Sequence, residues 1–399
     1  MRREADVAHT SHTTPGAHPL RALVIGSGWA GEGHTLALRA AGVEVVALVG
    51  RTPEPTCARA RTLGIDTVRF DWRAALQEFR PDIVSIATAA APHAEMAIEA
   101  ATAGYHVVCE KPLAVDPVQA RAMLEAVERA MVKHAYGATG GYYPAFLHTQ
   151  ALLTGGLIGS VRLVEYHVYV PPVVYLAPYS WSNQLSQGGG VLNNLFPHLL
   201  QQLLMMTGGT VAGAAGYTWG HRTTAPVGPA IHDFRELFGA IMTPEQAAAA
   251  EQRPFDAEWN ATALLQLRMP GDAITNVLVQ LAVAATPVSS SALTFYGDAG
   301  TLYLNGSFWA DAAIQHFDPQ RGERVDIPIP QAVVERLPPI EDHNQRQWNQ
   351  FFLEFVADVR GTGGTIYPTF YDGWVAAEVI DIVRRGSLTA LPGAPAVAR

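Results

Sequence analysis

Ala22-Leu23-Val24-Ile25-Gly26-Ser27-Gly28-Trp29-Ala30-Gly31 is the stretch that decides the fold. Four consecutive apolar residues without alternation describe a short strand buried on both faces, as in a parallel sheet. The spacing Gly26-x-Gly28-x-x-Gly31 follows it directly and opens a helix-period stretch through Leu36, Leu38 and Ala41 that stops at Gly42. In that setting the first glycine makes the tight turn and the second lets backbone approach a pyrophosphate. The third permits close helix–strand contact, and the pyrophosphate sits at the helix N-terminus. Gly26, Gly28, Trp29, Ala30 and Gly31 are therefore candidate cofactor-binding positions.

Outward from this segment, strands and helices alternate. Val43–Val49 reads as a second strand and Cys57–Leu63 as helical, with a strand–helix pair near Thr67–Phe79. Asp82–Ala87 is another buried strand, His93–Ala103 a helix closed by Gly104, and Tyr105–Cys109 a strand before Glu110-Lys111-Pro112. Asp116–Lys133 carries helix-period apolar residues. This grammar predicts a Rossmann-type, doubly wound parallel sheet over residues 21–140. The second strand ends in Val49-Gly50-Arg51-Thr52, with no carboxylate before Glu54, and Glu44 comes too early to serve. An acid here would bind a ribose 2′-hydroxyl; a guanidinium and a hydroxyl suit a 2′-phosphate. NADP(H) is favoured and NAD(H) is the alternative, the plain reading of Arg51 being a solvated loop residue.

After about residue 140 the pattern changes. A helix at Ala145–Leu153 and a long alternating strand at Val161–Val170 precede Gly188-Gly189-Gly190 and a helical stretch to Met206. Strands then dominate: Ala263–Arg268 and Asn276–Ala284 joined by Pro270-Gly271-Asp272, then Ala292–Tyr296, Gly297–Gly300 as a turn, and Thr301–Leu304. Two closing helices, Gln347–Val359 and Tyr371–Arg384, complete the chain. The fold class is α/β: a Rossmann domain followed by an α+β domain (141–390) with a large open, mostly antiparallel sheet. The closing helices (347–386) are candidates to return to the Rossmann domain. The stretch 221–256 reads as an insertion or lid, and residues 1–20 as a polar leader.

Composition sets the outer bounds. The chain has 399 residues and a formal net charge of −9, which does not attract a phosphate backbone, so nucleic acid is not an expected partner. No apolar run is long enough to span a bilayer, and no membrane partner is expected. The first twenty residues lack the apolar segment of a signal peptide. Two cysteines, Cys57 and Cys109, cannot staple a chain this long and suit a reducing compartment. Together these predict a cytoplasmic globular protein. The irregularly placed His9, His12 and His18 do not argue for a metal, and none is expected.

The Gly26/Gly28/Gly31 fingerprint, then Cys109-Glu110-Lys111-Pro112-Leu113-Ala114, then Gly188-Gly189-Gly190 ahead of a helix bearing His198, resembles the glucose–fructose oxidoreductase/inositol 2-dehydrogenase/MocA family. Tyr296-Gly297-Asp298-Ala299-Gly300-Thr301-Leu302 is similar to that family's sheet turn. The resemblance covers about residues 20–390. It implies NAD(P)-dependent redox chemistry at a carbinol or carbonyl carbon of a small-molecule substrate, most often a sugar or polyol. It also implies a homodimer or homotetramer formed through the open sheet. In the family the Glu-Lys-Pro turn, with a cis peptide at the proline, places the lysine beside the nicotinamide. Lys111 would then hold and polarise a substrate oxygen, its plainer alternative being a surface ion pair. His198 is the corresponding general acid/base, and imidazole suits that task near neutral pH; a lone helical histidine is otherwise a packing residue. Thr88, His93 and Glu110 resemble the family's cofactor-flanking residues, although His93 can equally be a helix-starting surface residue.

Three departures stand out. Asn194 takes the place of the acid four residues before His198, and Gln201 that of the second acid. An amide hydrogen-bonds substrate but takes no proton. Pro197 requires the helix to kink or to start nearby, and a start would make Asn194 an N-cap. Thr139-Gly140-Gly141-Tyr142-Tyr143-Pro144 lacks the family's arginine. Tyr142, Tyr143, Trp181 and Phe196 then suggest a pocket less polar than a simple sugar needs, although aromatics are also ordinary core material. Three activities fit: an oxidoreductase using Lys111, His198 and Asn194; a non-catalytic dinucleotide-binding sensor; and an NAD-dependent glycoside-cleaving enzyme, against which the missing acids count.

Overall fold

The computed structural model describes residues 19–220, 222–231, 234–284, 286, 289–306 and 312–386. All but the last two residues of the expected leader lie outside that set. The N-terminal half alternates as its apolar runs predict. Its elements are β1 (Arg21–Ile25), α1 (Trp29–Ala40), β2 (Glu44–Val49), α2 (Pro53–Leu63), β3 (Val68–Arg69) and α3 (Trp72–Phe79). Then come β4 (Ile83–Ile86), α4 (His93–Thr102), β5 (His106–Cys109), α5 (Pro117–Ala130) and β6 (His134–Tyr136). Local chemistry sets several ends. Asp71 accepts from the N–H groups of Arg73 and Ala74 to start α3, and Asp116 accepts from Gln119 to start α5 behind Pro117. The six strands pair in parallel in the order β3-β2-β1-β4-β5-β6. The order reverses between β1 and β4, so a crevice opens beyond their carboxyl ends, where Gly26, Thr88 and Glu110 lie. Only three residues long, β6 was not foreseen; its residues sit next to a helix-period run with no break strong enough to mark a strand.

The second half contains α6 (Pro144–Thr154), β7 (Val161–Val170), α7 (Val191–Thr207) and β8 (Thr210–Trp219). The 221–256 insertion is a small unit: β9 (Thr224–Pro226), α8 (Phe234–Gly239), α9 (Pro244–Ala249) and β10 (Gln252–Pro254), with β9 and β10 paired antiparallel. It rests on residues 172–180, where Tyr179 N–H donates to Pro226 and Met242 N–H to Leu176. Next come β11 (Asn260–Arg268), β12 (Ile274–Val283), β13 (Ser290–Gly297), β14 (Thr301–Gly306), β15 (Ala313–Asp318) and β16 (Glu323–Ile327). The eight-stranded sheet runs β16-β15-β14-β13-β7-β12-β11-β8. All neighbours are antiparallel except β7 with β12. That parallel pair escapes a reading by alternation, because a period of two fixes which face is buried and not a neighbour's direction. One face of this sheet is buried through Val164, Tyr166, Val168, Leu265, Val277, Val279 and Phe295, in one core with α7.

The chain closes with α10 (Gln331–Val334), α11 (His343–Val359) and α12 (Phe370–Arg385). Both long helices return to the first sheet. Trp348, Phe351, Phe352 and Phe355 of α11 share a core with Leu38 of α1. Phe370 of α12 enters the core beside α5, while its Val379, Ile380 and Val383 pack under the second sheet.

In α7 the structure decides between the two readings of Pro197. The helix starts at Val191 with Gly190 as its N-cap, and Pro197 lies inside it. Asn194 is therefore within the helix and is not its cap. Glu258 supplies what anchors this start. Its backbone carbonyl accepts from Val191 N at 2.8 Å, and its carboxylate accepts from Leu192 N at 3.1 Å, at the end of the helix that favours negative charge. Arg384 holds the same carboxylate through Nε at 3.0 Å and Nη2 at 2.9 Å. The Glu258 side chain is 7% exposed and that of Arg384 18%, so removing one partner strands the other. Glu258→Ala is expected to cost about 3–5 kcal/mol, read by urea unfolding. A loss below about 1 kcal/mol would reduce the pair to a surface-type bridge.

Candidate active site

The dinucleotide fingerprint has the shape its glycines require. Gly26 has φ of +125°, and a Cβ there would lie 2.3 Å from the Ala87 carbonyl oxygen at the end of β4. A Cβ on Gly31 would lie 1.8 Å from the carbonyl oxygen of Gly26. Side chains are excluded from both, and strand, turn and helix close against one another. Gly28 is the N-cap of α1 and brings no side chain to that helix end, so the end is open to an anion. Trp29 turns to α11, edge-on to Trp348 with centroids 4.9 Å apart, and Ala30 packs in the same core. Arg51 and Thr52 are exposed beyond β2, with Thr52 the N-cap of α2.

Further polar groups gather here. Ser27 Oγ lies 3.0 Å from Thr56 Oγ1, and Arg59 Nε donates to the Ser27 carbonyl at 3.3 Å. Glu32, in the first turn of α1, pairs with Arg59 and also with Arg235 of the insertion at 2.6 Å. The insertion thus reaches the first turn of the fingerprint helix. Sequence reading missed Arg59, Glu32 and Arg235; the last two lie 203 positions apart, and nothing local marks such a pair.

Beyond β4 and β5, Thr88 is partly exposed and His93 fully buried. The His93 ring lies between two carbonyls, Nδ1 3.0 Å from Pro112 O and Nε2 3.1 Å from Thr88 O. It joins the two loops that carry Thr88 and Lys111, and burial pushes its pKa down. The Lys111–Pro112 peptide is cis. Glu110 is 7% exposed and points inward: Oε1 faces His34 Nε2 at 3.1 Å and accepts from Trp348 Nε1 at 3.3 Å, while Oε2 accepts from Lys111 N–H at 3.0 Å. Burial opposes its charge, yet the His34 hydrogen bond and neighbouring cations hold its pKa at about 2.

Lys111 extends the other way. Its Nζ donates to the backbone carbonyl of Asn194 at 3.3 Å, one helical turn before His198 on α7. Burial lowers the Lys111 pKa and Glu110 partly restores it. His198 is pushed down to about 3, first by burial and then by the Lys111 ammonium. Burial and the ammonium thus favour the neutral imidazole and make it a weaker base than a free histidine. The Asn194 amide donates to Gly190 O at 2.8 Å.

The expected aromatic pocket is largely core. Tyr142 is 2% exposed and donates to Glu354 at 2.5 Å, Tyr143 is 3% exposed and edge-on to Phe146, and Phe196 is 1% exposed beneath the second sheet. Gln201 is buried, and Trp181 stays partly exposed in a short 3-10 turn. Lys111, Asn194 and His198 are brought together. Tyr142 and Phe196 are turned away into hydrophobic cores, because helix and turn geometry, invisible in composition, decides where an aromatic points. Among the described residues no cluster of His, Cys, Asp and Glu is arranged to hold a metal, and no helix is long and apolar enough to cross a membrane.

Comparison with known proteins agrees with this architecture. Residues 20–137 match the model of the oxidoreductase family with an NAD-binding Rossmann fold, and residues 146–303 match the GFO/IDH/MocA C-terminal domain. Over 205 residues, 46% of the chain and 50% of the relative, it is 30% identical to levoglucosan dehydrogenase of Pseudarthrobacter phenanthrenivorans. Over 203 residues, 48% of the chain and 54% of the relative, it is 29% identical to D-glucoside 3-dehydrogenase of Escherichia coli. The chain spans about half the length of these curated relatives. A solved levoglucosan dehydrogenase, in complex with NADH and levoglucosan, superposes with a TM-score of 0.75 at 22% identity, covering 92% of this chain and 96% of that one. That superposition shows a shared fold.

Proposed function

The chain belongs to the GFO/IDH/MocA oxidoreductase family, and we propose that it transfers a hydride between a nicotinamide dinucleotide and a carbinol or carbonyl carbon of a sugar-like or less polar cyclic substrate. One observation carries the reading: the Lys111 ammonium, from the turn after β5, meets the α7 backbone at Asn194, 83 positions away, one turn from His198. The uncapped end of α1 and the glycine-lined turn fit a dinucleotide pyrophosphate, held by the backbone at Gly28, Trp29, Ala30 and Gly31. When bound, the dinucleotide supplies the hydride acceptor or donor. Lys111 holds and polarises the substrate oxygen, and neutral His198 takes the hydroxyl proton in the oxidative direction and returns it in the reductive one. Asn194 orients the substrate, and Thr88, His93 and Glu110 shape the loops around the cofactor. Trp181, which stays partly exposed, is the aromatic of the expected set left to flank a substrate, and the Rossmann half runs to about residue 140 with the substrate half beyond it. Turnover of a sugar, polyol and cyclic-ketone panel, followed by nicotinamide absorbance, tests the reading; binding without turnover on the whole panel would favour the sensor alternative.

NADP(H) is the preferred cofactor on this reading. Arg51 and Thr52 stand exposed where a 2′-phosphate would lie, and Arg59 adds a cation beside Ser27. Arg51→Asp is expected to weaken NADPH binding about ten- to a hundredfold while NADH binding holds or improves, measured by fluorescence titration. Equal effects on both cofactors would remove Arg51 from 2′-phosphate recognition.

The uncovered face of the second sheet supports a homodimer or homotetramer. Leu163, Leu264 and Ile274, on three adjacent strands, are 37%, 47% and 47% exposed there, apolar side chains opposite the core face. Cys57 and Cys109 are both free thiols, in keeping with a reducing cytoplasm.

A further inference from the structure

Beneath the Lys111 turn runs a buried polar chain to which the hydride reaction assigns no task. Ser85 Oγ, on β4, lies 2.8 Å from Nδ1 of His34 on α1, and His34 Nε2 lies 3.1 Å from Glu110 Oε1. Ser85 and His34 are 0% exposed. Serine, histidine and carboxylate in this order look like a hydrolytic triad, but a serine with no exposed surface cannot reach a substrate. The chain's chemistry is orientation. An imidazole whose Nδ1 accepts from the Ser85 hydroxyl keeps its proton on Nε2, aimed at Glu110. Edge contacts with Trp348 and Phe352, at centroid distances of 5.8 and 5.0 Å, fix the ring plane. Trp348 Nε1 donates to the same Glu110 oxygen, so Oε1 faces two ring N–H groups and Oε2 is left to the Lys111 amide.

We propose that His34 is a positioning residue for Lys111: with Ser85 selecting its tautomer, it fixes the Glu110 carboxylate, which in turn fixes the Lys111 main chain and the place of its ammonium. The proposal rests on the redox role of Lys111 given above. The titratable groups facing Glu110 are His34 from α1, Cys109 and Lys111 from its own segment, Tyr136 from β6, His93 from α4 and His198 from α7. Of these, Lys111 reaches α7, where its Nζ meets the Asn194 carbonyl one turn from His198. A misplaced Glu110 therefore withdraws from Lys111 the negative charge that offsets its burial, and the ammonium loses its proton at lower pH.

His34→Phe keeps a ring and removes both nitrogens, whereas His34→Gln retains an N–H that reaches Glu110. The expected result for His34→Phe is a kcat lower by about 10–100-fold. The alkaline limb of kcat/KM should move down by about one pH unit, with dinucleotide Kd within about threefold of the parent. His34→Gln should restore most of both. An unmoved alkaline limb in His34→Phe, or no rescue by His34→Gln, overturns the proposal. The Lys111 amine can also be titrated directly, by trace acetylation across pH read by mass spectrometry. Identical Lys111 titration in parent and His34→Phe overturns the positioning role even if no substrate is found, whereas absence of turnover in the parent refutes only the redox reading. Should His34→Phe fail to fold, Ser85→Ala keeps the ring and frees the tautomer. It should shift the Lys111 titration in the same direction by a smaller amount, and no shift overturns the proposal.

Discussion

Lys111→Ala is expected to lower kcat about a hundred- to a thousandfold and to leave dinucleotide affinity nearly unchanged. Two features of the site give this expectation. The ammonium donates to a carbonyl of α7 and lowers the pKa of the nearby His198 imidazole, so on the proposed mechanism its removal deletes the positive charge where the substrate oxygen becomes negative. The fold survives the change because Glu110 keeps its other partners: His34, Trp348 and the backbone N–H of residue 111. The fingerprint turn, the uncapped end of α1 and Arg51 are untouched, so binding persists while chemistry stops. Lys111→Arg should not rescue, since a planar fork cannot replace a point charge on a flexible stem in this enclosed turn. Full activity in Lys111→Ala, measured with the best substrate of the panel, would remove the lysine from the mechanism.

Replacing His198 has the second large effect. His198→Phe is expected to lower kcat about 10²–10⁴-fold, the usual contribution of a positioned acid–base group. The parent should show no acid limb from this residue between pH 5 and 8, because burial and Lys111 keep its pKa at about 3. On the proposed mechanism an alkaline loss of activity belongs to Lys111, whose pKa burial lowers from the ordinary lysine value. Stability carries the same signature. The unfolded imidazole titrates near 6.5, so between there and about 3 the unfolded chain binds a proton that the folded chain refuses. The stability attached to His198 is complete above pH 6.5 and is lost as pH falls through that window. His134, pushed down to about 4 by burial, adds a loss of the same sign. Melting temperature should therefore fall from pH 7 to pH 4, and less steeply in His198→Phe. An identical slope in both proteins would mean that His198 is protonated in the fold.

The Rossmann half was legible because its signals are local. A buried run, a glycine pattern and a helix within twenty residues of one another fix φ, close approach and helix direction without help from distant chain. The second half was legible in outline: alternation gave β7, β11 and β12 their buried faces but could not give the parallel pairing of β7 with β12. Asn194 shows the limit more sharply. Proline in the sequence left a kink and a helix start both open, whereas Glu258 and Arg384, 66 and more positions away, anchor the start at Val191, and the helix runs past Pro197.

By itself the sequence determined the alternation of strands and helices in the first half, the cofactor turn and the two segments that bear Lys111 and His198, because each depends on interactions among near neighbours. Only the tertiary structure decided that Lys111 meets α7, that Glu110 faces inward to His34 and Trp348, and that Tyr142 and Phe196 belong to the core. Those outcomes depend on desolvation and on hydrogen bonds between groups tens to hundreds of residues apart, for which spacing along the chain carries no signal.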